Sequence, residues 1–146
     1  MKQLVFALQF TGTATPTGEG KLHAKTTARG QAFRASFGTD GVHASLEPAG
    51  GDTAAFESDV EMKGHGTFLE SGTIAYGSAG SIAFKTVGQG ILGPSPLENL
   101  QRGAVTWQVI SGQGRLAGAT GLITSNFTVG AQGEVVDNQL AVLFVP

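Results

Sequence analysis

Hydrophobic and polar residues alternate along most of this chain, in short runs separated by turns. The apolar residues from Leu4 to Phe10 recur at every second position, which places them on one face of a β-strand. Similar runs continue as far as Gln139–Val145, and glycine or proline stands in most of the intervening turns. No window shows sustained helical periodicity. The pattern therefore predicts an all-β domain.

A chain with about ten short strands must either stack two sheets or close one sheet into a barrel. Closure removes the exposed strand edges that an open sheet would present. We therefore predict a single domain, residues 1–146, that forms an antiparallel closed β-barrel of about eight strands around a central cavity. The longest irregular stretch, 88–102, is predicted either to cover the mouth of that cavity or to be a surface loop.

The paired runs on either side of Asp40-Gly41 are predicted to form a hairpin, because both residues tolerate the backbone of a tight turn. Their apolar residues are in phase, and we expect them to face inward: Phe33, Ala35, Phe37, Val42, Ala44 and Leu46. The last strand is apolar on both faces. One face can fill the barrel, and the other is expected to form a subunit interface.

The most glycine-rich segment, Ser111–Gly121, joins two predicted strands. Glycine permits the positive φ angles that a tight link requires. A phosphate-binding loop is the competing interpretation of Gly112-Gln113-Gly114, but such a loop is followed by a helix. The β-branched run after Gly121 argues against a helix there, so we interpret the segment as a structural turn.

The strand–turn–strand unit from Gly103 to Val129 resembles the glycine-rich turn of the allene oxide cyclase and dirigent-protein barrels, as well as that of related bacterial proteins of unassigned function. The resemblance implies an eight-stranded barrel with a cavity, often assembled as dimers or trimers. Enzymes of this superfamily cyclise or couple small apolar molecules, and dirigent proteins steer radical coupling. No catalytic residue of the superfamily maps onto this chain, so none is carried over.

Composition narrows the possible functions further. Charged residues make up 14% of the chain and the net charge is -2, which disfavours nucleic-acid binding. The absence of cysteine excludes a disulfide framework, a thiol nucleophile and Cys-ligated zinc. No segment approaches the length of a transmembrane helix, and the first ten residues fit a strand better than a signal peptide. We expect a soluble, cytoplasmic protein without membrane association.

Ionisable side chains supply the candidate chemistry. Glu57, Asp59 and Glu61 share one strand face, which we expect to be the solvated one because Phe56 lies on the other. A polar barrel interior would reverse that assignment and make one of the three an acid or base. His23 and His43 are out of phase with the apolar residues beside them. We expect both to face outward, and no metal site is predicted.

The best candidate acid/base pair is His65 with Glu61 or Glu70, because histidine titrates near neutral pH and stands here between two glycines. The alternative is a histidine exposed in a surface hairpin. Candidate substrate-binding residues are Trp107, Asn126, Tyr76 and Arg34. Trp107 fits either the core or the cavity wall, and Arg34 would bind a carboxylate only if it pointed inward.

These features predict a cofactor-independent barrel enzyme that acts on a small, largely apolar metabolite. The reaction would be a cyclisation, an isomerisation or a lyase-type proton transfer, assisted by the shape of the cavity. The alternatives are a non-catalytic protein of the same fold that binds or steers a small hydrophobic ligand, and a purely structural oligomer. We expect a homodimer or homotrimer.

Overall fold

The computed structural model describes all residues from Met1 to Pro146 and is built almost entirely of β-strands. A short 3₁₀ turn, Gly77–Ala79, connects the sixth and seventh strands. The strands are β1 (Lys2–Gly18), β2 (Lys21–Ala28), β3 (Gln31–Gly38), β4 (Gly41–Pro48), β5 (Ala54–Gly64), β6 (Thr67–Tyr76), β7 (Gly80–Thr86), β8 (Gly90–Pro94), β9 (Leu100–Gly114), β10 (Thr120–Gly130) and β11 (Glu134–Val145).

Eight strands close into an antiparallel barrel in the order β1, β2, β5, β6, β7, β9, β10 and β11, and β11 pairs back to β1. This confirms the predicted closed barrel. The additional strand β8 lies within the stretch that was predicted to be irregular. It pairs with β6 and β9 beyond the last residue of β7, and so continues the wall of the barrel where β7 stops.

The β3–β4 hairpin lies outside the barrel, and the prediction that its apolar residues face a core is wrong. The two strands pair only with each other, while β2 pairs directly with β5. Phe37 is 82% exposed and Val42, its partner in register, is 75% exposed. Alternation shows that a strand has an apolar face, but it does not show what that face packs against.

Four aromatic rings fill the middle of the barrel. The ring centroids of Phe84 and Trp107 lie 4.7 Å apart, and Phe56 lies 5.3 Å from Phe84 and 5.4 Å from Trp107. Phe10 packs against Phe56 at 6.0 Å. Each such pair contributes about 0.5–1.5 kcal/mol beyond the burial of its surface. The cluster forms a packed layer across the barrel, so any open space must lie to one side of it.

The glycine-rich segment Ser111–Gly121 closes one end of the barrel. Its two buried side chains, Leu116 and Ala119, join the hydrophobic core at that end. A Cβ on Gly112 would overlap the carbonyl oxygen of Leu116, and one on Gly121 would overlap that of Val142. Gly121 also has a φ of 137°, which disfavours other residues. The segment is a turn without a following helix, as predicted.

Candidate functional site

The barrel contains a cavity of about 450 Å³ on the side of the aromatic layer away from the glycine-rich turn. Phe56 and Trp107 form its floor. The rim of the cavity is formed where β1 turns into β2, near Pro16, and where β10 turns into β11, at Gln132. Leu92 of β8 also lines the cavity. Most of the lining is apolar, as is typical of sites for small molecules.

Glu70 of β6 points into this cavity and is almost fully buried. The Ser58 hydroxyl donates a hydrogen bond of 2.6 Å to its Oε2, and the Trp107 indole Nε1 donates one of 3.1 Å to its Oε1. The backbone of Glu70 is held by Thr86, the last residue of β7. The Thr86 hydroxyl accepts a hydrogen bond of 2.6 Å from the Glu70 N–H and donates one of 2.7 Å to the Glu70 carbonyl oxygen.

Burial raises the pKa of Glu70 to about 7, since the low-dielectric interior disfavours the charged carboxylate. The hydrogen bond from Ser58 lowers this pKa, the negative charge of Asp137 raises it, and the bond from Trp107 lowers it again. The outcome is a carboxyl group that is populated in both protonation states near neutral pH, which is the property required of a general acid or base.

A second buried carboxyl group, Asp137 of β11, faces the same cavity. The Ser125 hydroxyl donates to its Oδ1 at 2.5 Å, and the Gln139 side-chain amide donates to its Oδ2 at 2.8 Å. Burial raises its pKa to about 6 against the lowering effect of both hydrogen bonds. Glu70 and Asp137 are the two ionisable residues of the lining.

The two carboxyl groups are held in the same way on opposite sides of the barrel. Each receives its hydroxyl bond from a serine on the preceding strand of its own hairpin, Ser58 for Glu70 and Ser125 for Asp137, twelve residues earlier in each case. Three strands separate β6 from β11 in either direction around the barrel. The acidic groups therefore approach the cavity from opposing walls.

Thr26 of β2 adds an unused polar atom to the lining. Its side chain is 2% exposed, and its hydroxyl oxygen has no hydrogen-bond partner in the protein. An unpaired buried hydroxyl is unfavourable, because it has lost its bonds to water without replacement. A polar group on a bound molecule would provide the missing partner.

Two of the sequence-derived candidates, Glu70 and Trp107, meet in this site and are hydrogen-bonded to each other. Trp107 belongs both to the core and to the cavity wall, so the two interpretations of this residue hold together. Glu70 shares the inner face of β6 with Phe68 and Ile74, and all three side chains are buried.

The proposed pairing of His65 with Glu61 or Glu70 is not formed. His65 lies exposed in the β5–β6 turn with a φ of 52°. Glu61 is opposite Leu69, one position from the pair Val60–Glu70, so alternation directs it to the outer face. There Lys63 donates to it at 2.8 Å, and this hydrogen bond lowers the pKa of Glu61.

The other three substrate-binding candidates lie away from the cavity. Asn126 is on the outer face of β10, where its carbonyl oxygen accepts from the Asn138 side chain; its neighbour Ser125 is the inward residue. Tyr76 packs edge-on against Phe6, with centroids 5.4 Å apart, away from the cavity lining. Arg34 is exposed on the β3–β4 hairpin, where its Nε donates to Glu47 at 2.6 Å.

The outward orientation expected for the acidic strand face is confirmed. Glu57 and Asp59 lie outside the barrel and flank His23 at 3.1 Å and 2.9 Å. Hydrogen bonds to Asp59 and then Glu57 raise the pKa of His23. His43 contacts Asp40 at 3.2 Å on the separate hairpin. The three histidines therefore lie on different elements, and no group of three or more potential ligands is arranged to hold a metal ion.

Sequence reasoning missed Asp137 and its two hydrogen-bond donors, Ser125 and Gln139. It also missed Ser58, which donates to Glu70, and the unpaired Thr26. The signal for Asp137 was its phase, because it lies on the same face of its strand as Ala141 and Leu143, which are both buried. A second signal was the equal serine-to-carboxylate spacing in the two hairpins. Neither signal separates a buried carboxyl group from an exposed one until the strand partners are known.

Comparisons with known proteins give no match to a family model, a curated protein or a solved structure. The structure contains no helix with the length and apolar character needed to cross a membrane.

Proposed function

We propose that this protein is a cofactor-independent enzyme that moves a proton on a small, largely apolar metabolite bound in the barrel. The observation that carries the proposal is Glu70, a buried carboxyl group with a pKa of about 7, aimed into a cavity lined mainly by apolar side chains. The reaction classes that need one such group are isomerisation, cyclisation and lyase-type elimination.

The surroundings of Glu70 suit this role. Ser58 and Trp107 each occupy one carboxylate oxygen, so the carboxyl group is held in a fixed orientation while lone pairs remain free for a substrate proton. The aromatic floor gives the bound molecule a defined shape, which favours a reactive conformer. The resemblance of Gly103–Val129 to the allene oxide cyclase and dirigent barrels supports a reaction of this kind.

The alternative function is a non-catalytic protein that binds or steers a hydrophobic ligand. It is favoured by the same lining, which is mostly apolar and offers few polar contacts. The two functions differ in one respect: a binder needs the cavity, whereas an enzyme also needs the carboxylate form of Glu70.

A generic proton-transfer probe separates these functions without knowledge of the natural substrate. In 5-nitrobenzisoxazole a base removes the C3 proton while the N–O bond breaks, and the product is 2-cyano-4-nitrophenolate, which is followed by its visible absorbance. We expect a rate that rises with pH through about 7, as Glu70 loses its proton.

Glu70→Gln is expected to reduce this rate by about 100-fold or more, because it removes the base while preserving the shape of the side chain. Glu61→Gln is the matched control, since Glu61 is exposed on the outer face, and it should leave the rate unchanged. Probe binding with equal rates in the wild type and in Glu70→Gln would refute the enzymatic function and favour the binder.

We also propose that the chain assembles with copies of itself as a homodimer or homotrimer. We call the outer face formed by β9, β10, β11 and β1 the uncharged wall, because the exposed charged residues of these four strands lie only near the strand ends, at Lys2, Arg102 and Glu134. Its exposed residues include Val5, Leu122 and Leu140. The opposite outer face, by contrast, carries charged residues throughout β2 and β5. This segregation favours burial of the uncharged wall against a second copy.

A further inference from the structure

We propose that the ligand of the cavity is a small apolar molecule carrying one protonated amine, which binds between Glu70 and Asp137. The inference names the ligand class for the site of the proposed function and rests on that site. It does not depend on whether the bound molecule is then transformed.

The charges of the lining support a cationic ligand. Glu70 and Asp137 are both acidic, and the lining contains no lysine, arginine or histidine. All the side chains that bond to the two carboxyl groups are neutral: Ser58, Trp107, Ser125 and Gln139. Buried carboxylates without a cation are strongly unfavourable. A bound ammonium group would supply the missing positive charge.

The hydrogen-bonding groups of the site also match an ammonium group. A primary ammonium has three N–H donors and no acceptor. Each carboxylate oxygen of Glu70 and Asp137 receives one bond from the protein and retains acceptor capacity. The Thr26 hydroxyl has no partner and can accept from an ammonium. The lining thus provides acceptors where an amine would need them.

The aromatic part of the lining suits the rest of such a molecule. Phe56 and Trp107 form the floor, and nearer the rim Phe68 and Phe127 form an edge-to-face pair with centroids 6.0 Å apart. Aromatic faces bind apolar groups, and they also attract cations through their negative quadrupole. By the same reasoning an anionic ligand is disfavoured, because it would meet two acidic groups and no cation.

The pH dependence of binding follows from the groups that face Glu70. These are Ser58 from β5, Thr86 from β7, Trp107 from β9 and Asp137 from β11. Asp137 is the only one of them that titrates in this range. Both carboxyl groups are protonated well below pH 6, so affinity for an amine should fall as the pH is lowered from 8 to 5 and the negative charges are lost.

Three probes with the same indole ring test the proposal by isothermal titration calorimetry. Tryptamine is cationic, tryptophol is neutral and indole-3-acetate is anionic. At pH 8 we expect tryptamine to bind about tenfold tighter than tryptophol or better, and indole-3-acetate to bind more weakly than either. At pH 5 the preference for tryptamine should fall below about threefold. Titrations at pH 6.5 in phosphate and in MES, two buffers that differ in ionisation enthalpy and carry no primary amine, should show that tryptamine binding releases protons.

The double variant Glu70→Gln/Asp137→Asn should lose the preference for tryptamine and still bind tryptophol, which also reports that the cavity is intact. The matched control is Glu57→Gln/Asp59→Asn, which makes the same two kinds of substitution, with the same loss of formal charge, on the outer face. It should retain the preference. If the double variant does not fold, the proton release of the wild type and the pH 5 titration decide the matter.

Three results would overturn the proposal: tryptophol binding as tightly as tryptamine at pH 8, a preference that survives in the folded double variant, or no binding of any probe at millimolar concentration. The proposed function fails separately. A protein that opens 5-nitrobenzisoxazole through Glu70 and does not prefer tryptamine refutes only the ligand class. A protein that prefers tryptamine and does not open the ring refutes only the catalytic role.

Discussion

At the scale of single residues, the protonation of Glu70 is a balance between burial and two neutral hydrogen-bond donors. Burial raises its pKa, while Ser58 and Trp107 lower it by bonding to the charged form. Neither donor carries a charge, so the balance can be altered without changing the net charge of the site. The two donors therefore tune the carboxyl group as well as orient it.

Removal of either donor should raise the pKa of Glu70 above about 7. We expect Ser58→Ala to have the larger effect, because the bond from Ser58 is the stronger of the two lowering contributions, and Trp107→Phe the smaller. The measurement is a carboxyl ¹³C titration by NMR on glutamate-labelled protein. The control is Ser71→Ala, on the exposed face of β6 next to Glu70, which should leave the titration unchanged. A pKa that falls in Ser58→Ala would contradict this account.

At the scale of elements, the glycine-rich turn and the cavity occupy different ends of the barrel, so one can be altered without the other. In Gly112→Ala the new methyl group would overlap the Leu116 carbonyl oxygen, and backbone atoms of the turn would have to move. We expect a loss of about 2 kcal/mol or more in the free energy of unfolding. Denaturant unfolding followed by circular dichroism measures it.

The control for this prediction is Gly93→Ala. Gly93 has no atom within 4 Å of the position of a new Cβ and no positive φ angle. The free energy of unfolding of Gly93→Ala should therefore differ from that of the wild type by less than about 0.5 kcal/mol. Tryptophol affinity should be unaffected in both folded variants, because neither glycine lines the cavity. Equal stability of the two variants would contradict a structural role for Gly112.

The strands also show which features of the structure can be inferred from the alternation of apolar and polar residues, and which cannot. Glu70 and Trp107 both point inward, and each has at least one buried apolar neighbour two residues away on the same strand face. Asn126 has the apolar residue Leu122 in phase with it, but Leu122 is itself half exposed on the outer face, so an apolar residue in phase does not by itself mark an inner face. The position of the β3–β4 hairpin depends on β2 pairing with β5, a contact between distant parts of the chain that no local pattern encodes.

The same limit explains why Asp137 was not identified from the sequence. Its burial requires β11 to pair with both β1 and β10, so that one of its faces turns into a closed barrel. Before closure is known, an acidic residue between Val136 and Asn138 fits an exposed strand equally well. The fold class therefore followed from local patterns, whereas the composition of the site depended on the pairing of distant strands.

At the scale of the whole molecule, the uncharged wall is expected to be the surface through which copies associate. Leu122→Lys places a charge on this wall and should dissociate the assembly, because a buried unpaired charge is strongly unfavourable. Light scattering coupled to size-exclusion chromatography reports the mass. Thr73→Lys, on the outer face of β6, is the control and should preserve the mass of the wild type. A wild-type protein that is monomeric at all concentrations would refute the proposed assembly.

The two buried carboxyl groups should make the stability of the whole barrel depend on pH. Their pKa values in the folded protein, about 7 for Glu70 and about 6 for Asp137, lie above the ordinary values of 4.5 and 3.8. Between these limits the folded state binds more protons than the unfolded state. The free energy of unfolding must therefore decrease as the pH rises from about 4 to about 8.

Each group contributes on the order of 3 kcal/mol to this decrease, because its pKa lies somewhat more than two pH units above the ordinary value and each unit corresponds to about 1.4 kcal/mol.

Urea unfolding at pH 5 and pH 8 should show greater stability at pH 5. In Glu70→Gln/Asp137→Asn most of the difference should disappear, because the substituted side chains do not titrate. A barrel that is equally stable at both pH values would mean that the two carboxyl groups keep their ordinary pKa values, and that water or an unrecognised partner reaches them. Saturating tryptamine should reduce the loss of stability at pH 8, since a ligand that binds only the folded state stabilises it by an amount that grows with the logarithm of the ratio of ligand concentration to Kd.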